Sequence, residues 1–192
     1  MPDRIPDPFV DIFIDGRRDF SSGRPFNVNT PHMGHSDTIS VSVGQPILVF
    51  NSGVHFSIEW TLYDTDQGGN IQSELVEYLS NEGWGRRSSP DDVRIPRVTA
   101  TYGGVEQARN PGENLQIDSS RPPTVAAALL GLGSSCSKLD TESRGQQELF
   151  LWPLPPPGPI NLTFLWPALG FTGTVLFDGQ DLRSALSPNE DP

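Results

Sequence analysis

From Val54 to Leu62 apolar and polar side chains alternate without a break: Val54, Phe56, Ile58, Trp60 and Leu62 fall on one face, and His55, Ser57, Glu59 and Thr61 on the other. A period of two is that of an extended strand, whose successive side chains point to opposite sides. A strand with one apolar face cannot bury that face alone, so this segment requires a sheet and a second layer packed against it.

The same pattern recurs along the chain. Phe9 to Ile14 reads as a first strand ended by a turn at Gly16-Arg17-Arg18, and Thr38 to Val43 alternates before Gly44-Gln45-Pro46 turns the chain into Ile47 to Phe50. Val98, Ala100 and Tyr102 alternate ahead of Gly103-Gly104, and Glu148 to Trp152, Ile160 to Trp166 and Thr174 to Phe177 are rich in β-branched and aromatic residues. Ile71, Leu75, Tyr78 and Leu79 recur at helical spacing, where a strand pair is the alternative, and Asp181 to Leu186 reads as a short terminal helix. Nineteen prolines argue against long helices, because proline lacks the amide donor that a helix interior or a central strand needs. The fold expected is therefore all-β (β-rich), an antiparallel β-sandwich with immunoglobulin-like layering and one or two short helices. Residues 9–186 are read as one domain between a flexible N-terminal segment, 1–8, and a flexible acidic tail, 187–192. Polar, turn-rich stretches at Gly83 to Pro96, Arg109 to Pro123 and Gly131 to Gly145 read as loops, the last partly mobile.

Charge limits the partners. Twenty-four acidic against thirteen basic side chains give a formal net charge of -11, a field that repels nucleic-acid backbones and anionic lipid surfaces. The adjacent pairs Arg17-Arg18 and Arg86-Arg87 are each followed closely by aspartates and read as solvated surface. Lys138 is the only lysine, an arginine bias that fits a GC-rich genome. Cys136 is the only cysteine, which rules out an intrachain disulfide and fits a reducing cytoplasm. The N-terminus has acids and prolines where an export signal needs a basic start and an apolar run, and the longest apolar run, Val125 to Leu132, is too short to span a bilayer. A cytoplasmic protein, binding neither nucleic acid nor membrane, is expected.

Motifs that could carry chemistry are weak. His32 and His35, with Asp37 nearby, are borderline-metal ligand types, but Pro31 and Gly34 read as a loop, which does not supply the shared face of a zinc-binding helix; His55 is a distant further candidate. Asp64 to Asn70 begins like a calcium loop, yet Leu75 stands where the bidentate glutamate belongs. His55, Ser57 and Glu59 share a strand face, but about 13 Å separates the first from the last, too far for direct proton transfer. Ser135 and Lys138 have the spacing of some serine-lysine acyl-enzymes without the accompanying motifs, and no glycine-rich nucleotide loop is present.

One segment stands out. Leu149-Phe150-Leu151-Trp152-Pro153-Leu154-Pro155-Pro156-Pro157-Gly158-Pro159, followed by Leu162-Thr163-Phe164-Leu165-Trp166-Pro167-Ala168-Leu169-Gly170, resembles an uncharacterised family of small proteins from high-GC Gram-positive bacteria that share a tryptophan-proline-leucine-proline-proline run and a later tryptophan-proline-alanine. The resemblance covers the C-terminal third, with weaker similarity over Gly53 to Leu62 and Val98 to Asn110. It departs at Gly131 to Arg144, where the family has glycine-rich loops. It implies a β-rich fold and no known activity.

The proline run cannot donate backbone hydrogen bonds and should form a stiff crossover at a sheet edge. Trp152 and Trp166 flank it, either filling the core or, with an exposed ridge of Pro153, Pro155, Pro156 and Pro157, forming a docking surface. Trp84, Arg86 and Arg87 in the long loop are further contact candidates. The function expected from these residues is a non-enzymatic cytoplasmic protein-interaction or assembly module that uses no cofactor and binds another protein or itself. The alternatives are a small-ligand or metal-sensing domain built on His32, His35 and Asp37, and an enzyme whose polar pocket spacing cannot reveal.

Overall fold

A computed structural model describes residues 13–14, 17–18, 20–29, 31–64, 69–82, 92–103, 106–109 and 128–187. It is an antiparallel all-β sandwich with two short helices. Its strands are β1 (Phe13–Ile14), β2 (Arg17–Arg18), β3 (Arg24–Phe26), β4 (His32–His35), β5 (Ile39–Val43), β6 (Ile47–Val49), β7 (Val54–Tyr63), β8 (Arg97–Tyr102), β9 (Glu106–Arg109), β10 (Ala128–Lys138), β11 (Glu142–Trp152), β12 (Pro159–Trp166) and β13 (Phe171–Asp178). The helices are α1 (Gly69–Glu82) and α2 (Gly179–Leu186).

The larger sheet runs β10-β11-β7-β5-β4, with β6 pairing both β7 and β3, and the smaller runs β13-β12-β8-β9. Register follows the apolar alternation: Ile39, Val41 and Val43 of β5 lie opposite Leu62, Trp60 and Ile58 of β7, so these side chains share one face. Opposing them are Val98 and Ala100 of β8, Ile160, Leu162, Phe164 and Trp166 of β12, and Phe171, Val175 and Phe177 of β13. Full burial of a Val, Ile, Leu or Phe side chain contributes roughly 1.5–3 kcal/mol of transfer free energy. Helix α1 lays Leu75, Val76 and Leu79 into this core against β10, and α2 packs Leu182 against the end formed by β3, β6 and β13.

The larger sheet also buries part of its other face. In β11, Leu149 and Leu151 enter the main core, while Phe150 and Trp152 join Phe50, Leu130 and Leu132 in a second cluster covered by Phe20. That run is apolar on every residue because both faces are covered there.

One expectation is overturned. The Gly131 to Gly145 stretch, read as a partly mobile connection, forms most of an eleven-residue strand, β10, and the start of β11, paired from Ala128↔Trp152 to Lys138↔Ser143 with a bulge between Gly131 and Gly133. Its small residues carry no alternation to read, and the pairing with β11 fixes them. Of the expected first strand only Phe13–Ile14 is described as such; Phe9 to Ile12, the Asn110 to Pro123 stretch and the tail beyond Ser187 lie outside the described residues. Among the described residues no helix is long and apolar enough to cross a membrane.

Candidate functional site

The proline crossover joins β11 to β12 over the end of the sandwich, and its backbone is tied down rather than free. Leu154 N–H donates to Ser52 O at 3.1 Å, and the Arg183 guanidinium of α2 donates to Pro155 O at 2.9 Å and to Leu154 O at 3.0 Å. Prolines contribute carbonyls but no donors, so a cation from the neighbouring helix satisfies what the run cannot satisfy itself. Gly158, at φ +122°, sits where a side chain would be strained, and its N–H donates to Asp178 Oδ1, the same oxygen that caps α2 through Gln180 N–H.

These contacts correct the docking surface expected from the sequence. Trp152 is 3% and Trp166 0% exposed, so both indoles are core residues and unavailable to a partner. Pro155 is buried and Pro153 half-buried; the exposed part of the ridge is Pro156, Pro157 and Pro159. Trp84, Arg86 and Arg87 lie outside the described residues.

The residues that follow them, from Asp92, are anchored. Asp92 accepts from Arg94 through both carboxylate oxygens, at 2.9 and 2.7 Å, and from Tyr78 Oη at 2.8 Å, while the Arg94 guanidinium lies 3.8 Å over the Tyr78 ring. The hydrogen bonds from Arg94 hold the Asp92 carboxyl well below the usual carboxylate range. Trp166 Nε1 in turn donates to Arg94 O at 2.9 Å, so this cluster links α1, the segment before β8 and the core.

His32 and His35 lie on edge strand β4, not in a loop. His32 is opposite Ser42 and His35 opposite Ser40, with a bulge between His32 and Gly34. Residues three apart on a regular strand face opposite ways; the extra residue restores a common face. The rings are exposed, with His32 Nε2 and His35 Nδ1 3.3 Å apart. Asp37 is not brought in: among the described residues no three of histidine, cysteine, aspartate and glutamate converge as a metal cage.

The other candidates disperse. His55 stacks on Phe20, centroids 4.3 Å apart, in the second apolar cluster, away from Glu59. Ser135 and Ser137 face outward opposite Gln146 and Arg144, whereas Lys138 donates to Ser73 of α1, so Ser135 and Lys138 are on different faces. Cys136, on β10, faces α1, where burial pushes its thiol pKa up, opposite to an activated nucleophile.

What the sequence reading missed is β10 itself. Among the described residues it is paired only with β11, and Gly133, Ser134, Ser135, Ser137 and Lys138 are exposed. Beside it, on the outward face, Glu59 and Thr61 of β7, Arg144 and Gln146 of β11 and Ser135 and Ser137 line an open polar trough of about 280 Å³. Comparison with protein-family models, curated proteins and solved structures found no match.

Proposed function

We propose that this chain is a cytoplasmic protein-interaction module that binds an extended segment of another protein by strand addition along β10. The carrying observation is an eleven-residue strand hydrogen-bonded on one side among the described residues, in which Gly133, Ser134, Ser135 and Ser137 are small and exposed while Cys136 is part-buried. A strand side without a hydrogen-bonded neighbour presents a row of backbone donors and acceptors, and the glycine and serine side chains of β10 add little bulk there, although β9 lies close by. The adjoining trough offers Arg144 and Glu59 to side chains of the added strand. With a net charge of -11, the favoured partner segment is neutral or basic, and a second acidic copy of this chain is disfavoured. The exposed tip of the proline crossover, Pro156, Pro157 and Pro159, is a smaller second contact in this reading.

The test is capture of partners from host lysate against a tag-only control, followed by hydrogen exchange on the purified complex. Slowed exchange of alternate amides from Gly133 to Lys138 is the expected result. A bound partner that leaves those amides unchanged sinks the strand-addition reading, and no enriched partner sinks the interaction reading itself.

A further inference from the structure

We infer that His32 and His35 form a bidentate surface site for a borderline divalent cation of the Zn²⁺ class, built by the bulge in β4. The inference is independent of the β10 proposal, because β4 is the opposite edge of the larger sheet.

His32 and His35 oppose Ser42 and Ser40, positions two apart on β5, so the bulge gives both imidazoles the same face. Their facing nitrogens, His32 Nε2 and His35 Nδ1, are 3.3 Å apart with ring planes inclined at 40°. Two Zn–N bonds of about 2.0–2.1 Å meeting at a tetrahedral angle require a nitrogen separation of about 3.3 Å. The pair therefore stands at the spacing a chelated ion needs, and either imidazole nitrogen is a competent ligand.

A direct hydrogen bond between the rings accounts for the same distance but does little to hold it. Both rings are exposed, and water competes for each nitrogen, so the net worth of such a bond is small. A cation bridging both nitrogens gains from each ligand at once. The surroundings favour it: the chain's net negative charge concentrates cations, and the neighbouring Ser40 and Ser42 leave room for water in the remaining coordination positions. Burial of Met33 in the core and the close approach of Gly34 to Phe171 hold the strand from below, so the two rings are presented from a fixed backbone.

Isothermal titration of ZnCl₂ into untagged protein tests the site. One saturable ion per chain is expected, with His32→Ala and His35→Ala each weakening binding by at least about tenfold, since loss of even an outer-shell partner costs a metal site that much, and Asp37→Asn leaving it unchanged. Both histidines are exposed, so the variants should keep the wild-type far-ultraviolet circular dichroism. Absence of saturable binding overturns the inference. So does binding that survives the double histidine variant, or a site lost in Asp37→Asn and kept in His35→Ala.

Discussion

The indole rings of Trp60 and Trp166 meet edge to face between the two sheets, their centroids 5.1 Å apart and their planes inclined at 66°. Trp60 comes from the centre of the larger sheet and Trp166 from the end of β12, so this one contact joins both layers. Edge-to-face geometry places the positive rim of one ring on the negative face of the other and adds about 0.5–1.5 kcal/mol to the area buried.

The two buried tryptophans of the crossover region should respond differently to loss of the indole N–H. Trp166 Nε1 donates to Arg94 O, whereas Trp152 Nε1 is buried without an acceptor among the described residues. Trp166→Phe removes a made bond and should cost about 1–3 kcal/mol; Trp152→Phe removes an uncompensated desolvation and should cost less. Trp166→Ala should cost about 3–5 kcal/mol. Urea unfolding of the three variants checks the order, and equal costs for the two phenylalanine variants would contradict the hydrogen-bond assignment.

Gly145 lies opposite Trp60 in the β7–β11 pairing, and a Cβ there would overlap the Trp60 six-membered ring. Gly145→Ala should destabilise by about 1–3 kcal/mol through overpacking. Paired with Trp60→Leu, the alanine should cost much less, a coupling that a double-mutant cycle measures. Additive costs would show that the strand, not the ring, rejects the side chain.

Asp92 should make stability depend on pH in a defined window. Its pKa is lowered in the folded protein, so its contribution is present above the unfolded carboxylate value, about 3.9, and is lost as pH falls below that value toward the folded one. Asp92→Asn should lower stability at pH 7 and flatten the decline between about pH 4 and pH 2. Chemical unfolding across that range measures it; an unchanged slope removes Asp92 from the acid response.

Arg183 should matter through the carbonyls it serves. Arg183→Ala leaves Pro155 O and Leu154 O without their donor and should cost about 1–2 kcal/mol. Arg183→Lys should recover only part, because one ammonium does not reproduce the planar fork. Urea midpoints give the comparison, and full recovery by lysine would reduce the contact to simple charge.

How much of this was legible varies from segment to segment. Val54 to Leu62 was readable because one of its faces is apolar throughout, and Leu75 and Leu79 because their spacing matches a helix laid on a sheet. β10 was hidden: Gly131, Gly133 and four further small residues to Ser137 have no pattern, and their strand exists through long-range pairing with β11. The shared face of His32 and His35 was equally hidden, since three-residue spacing on an ideal strand puts them apart and a bulge is set by the partner strand. The tryptophan and proline run was conspicuous in sequence, but composition could not separate a ridge from a buried clamp. Arg183, 26 residues beyond Pro157, decides that.

The second apolar cluster gives the larger sheet two hydrophobic reservoirs with different covers. The main one is enclosed by an entire opposing sheet and two helices, while Phe50, Phe150 and Trp152 are sheltered in part by Phe20 and Leu48. Lifting the segment around Phe20 exposes far less surface than parting the sheets, so it belongs to a lower-energy class of opening. The two faces of the larger sheet thereby differ in what must move to expose them: the sandwich itself for one, and a cover that includes Phe20 for the other.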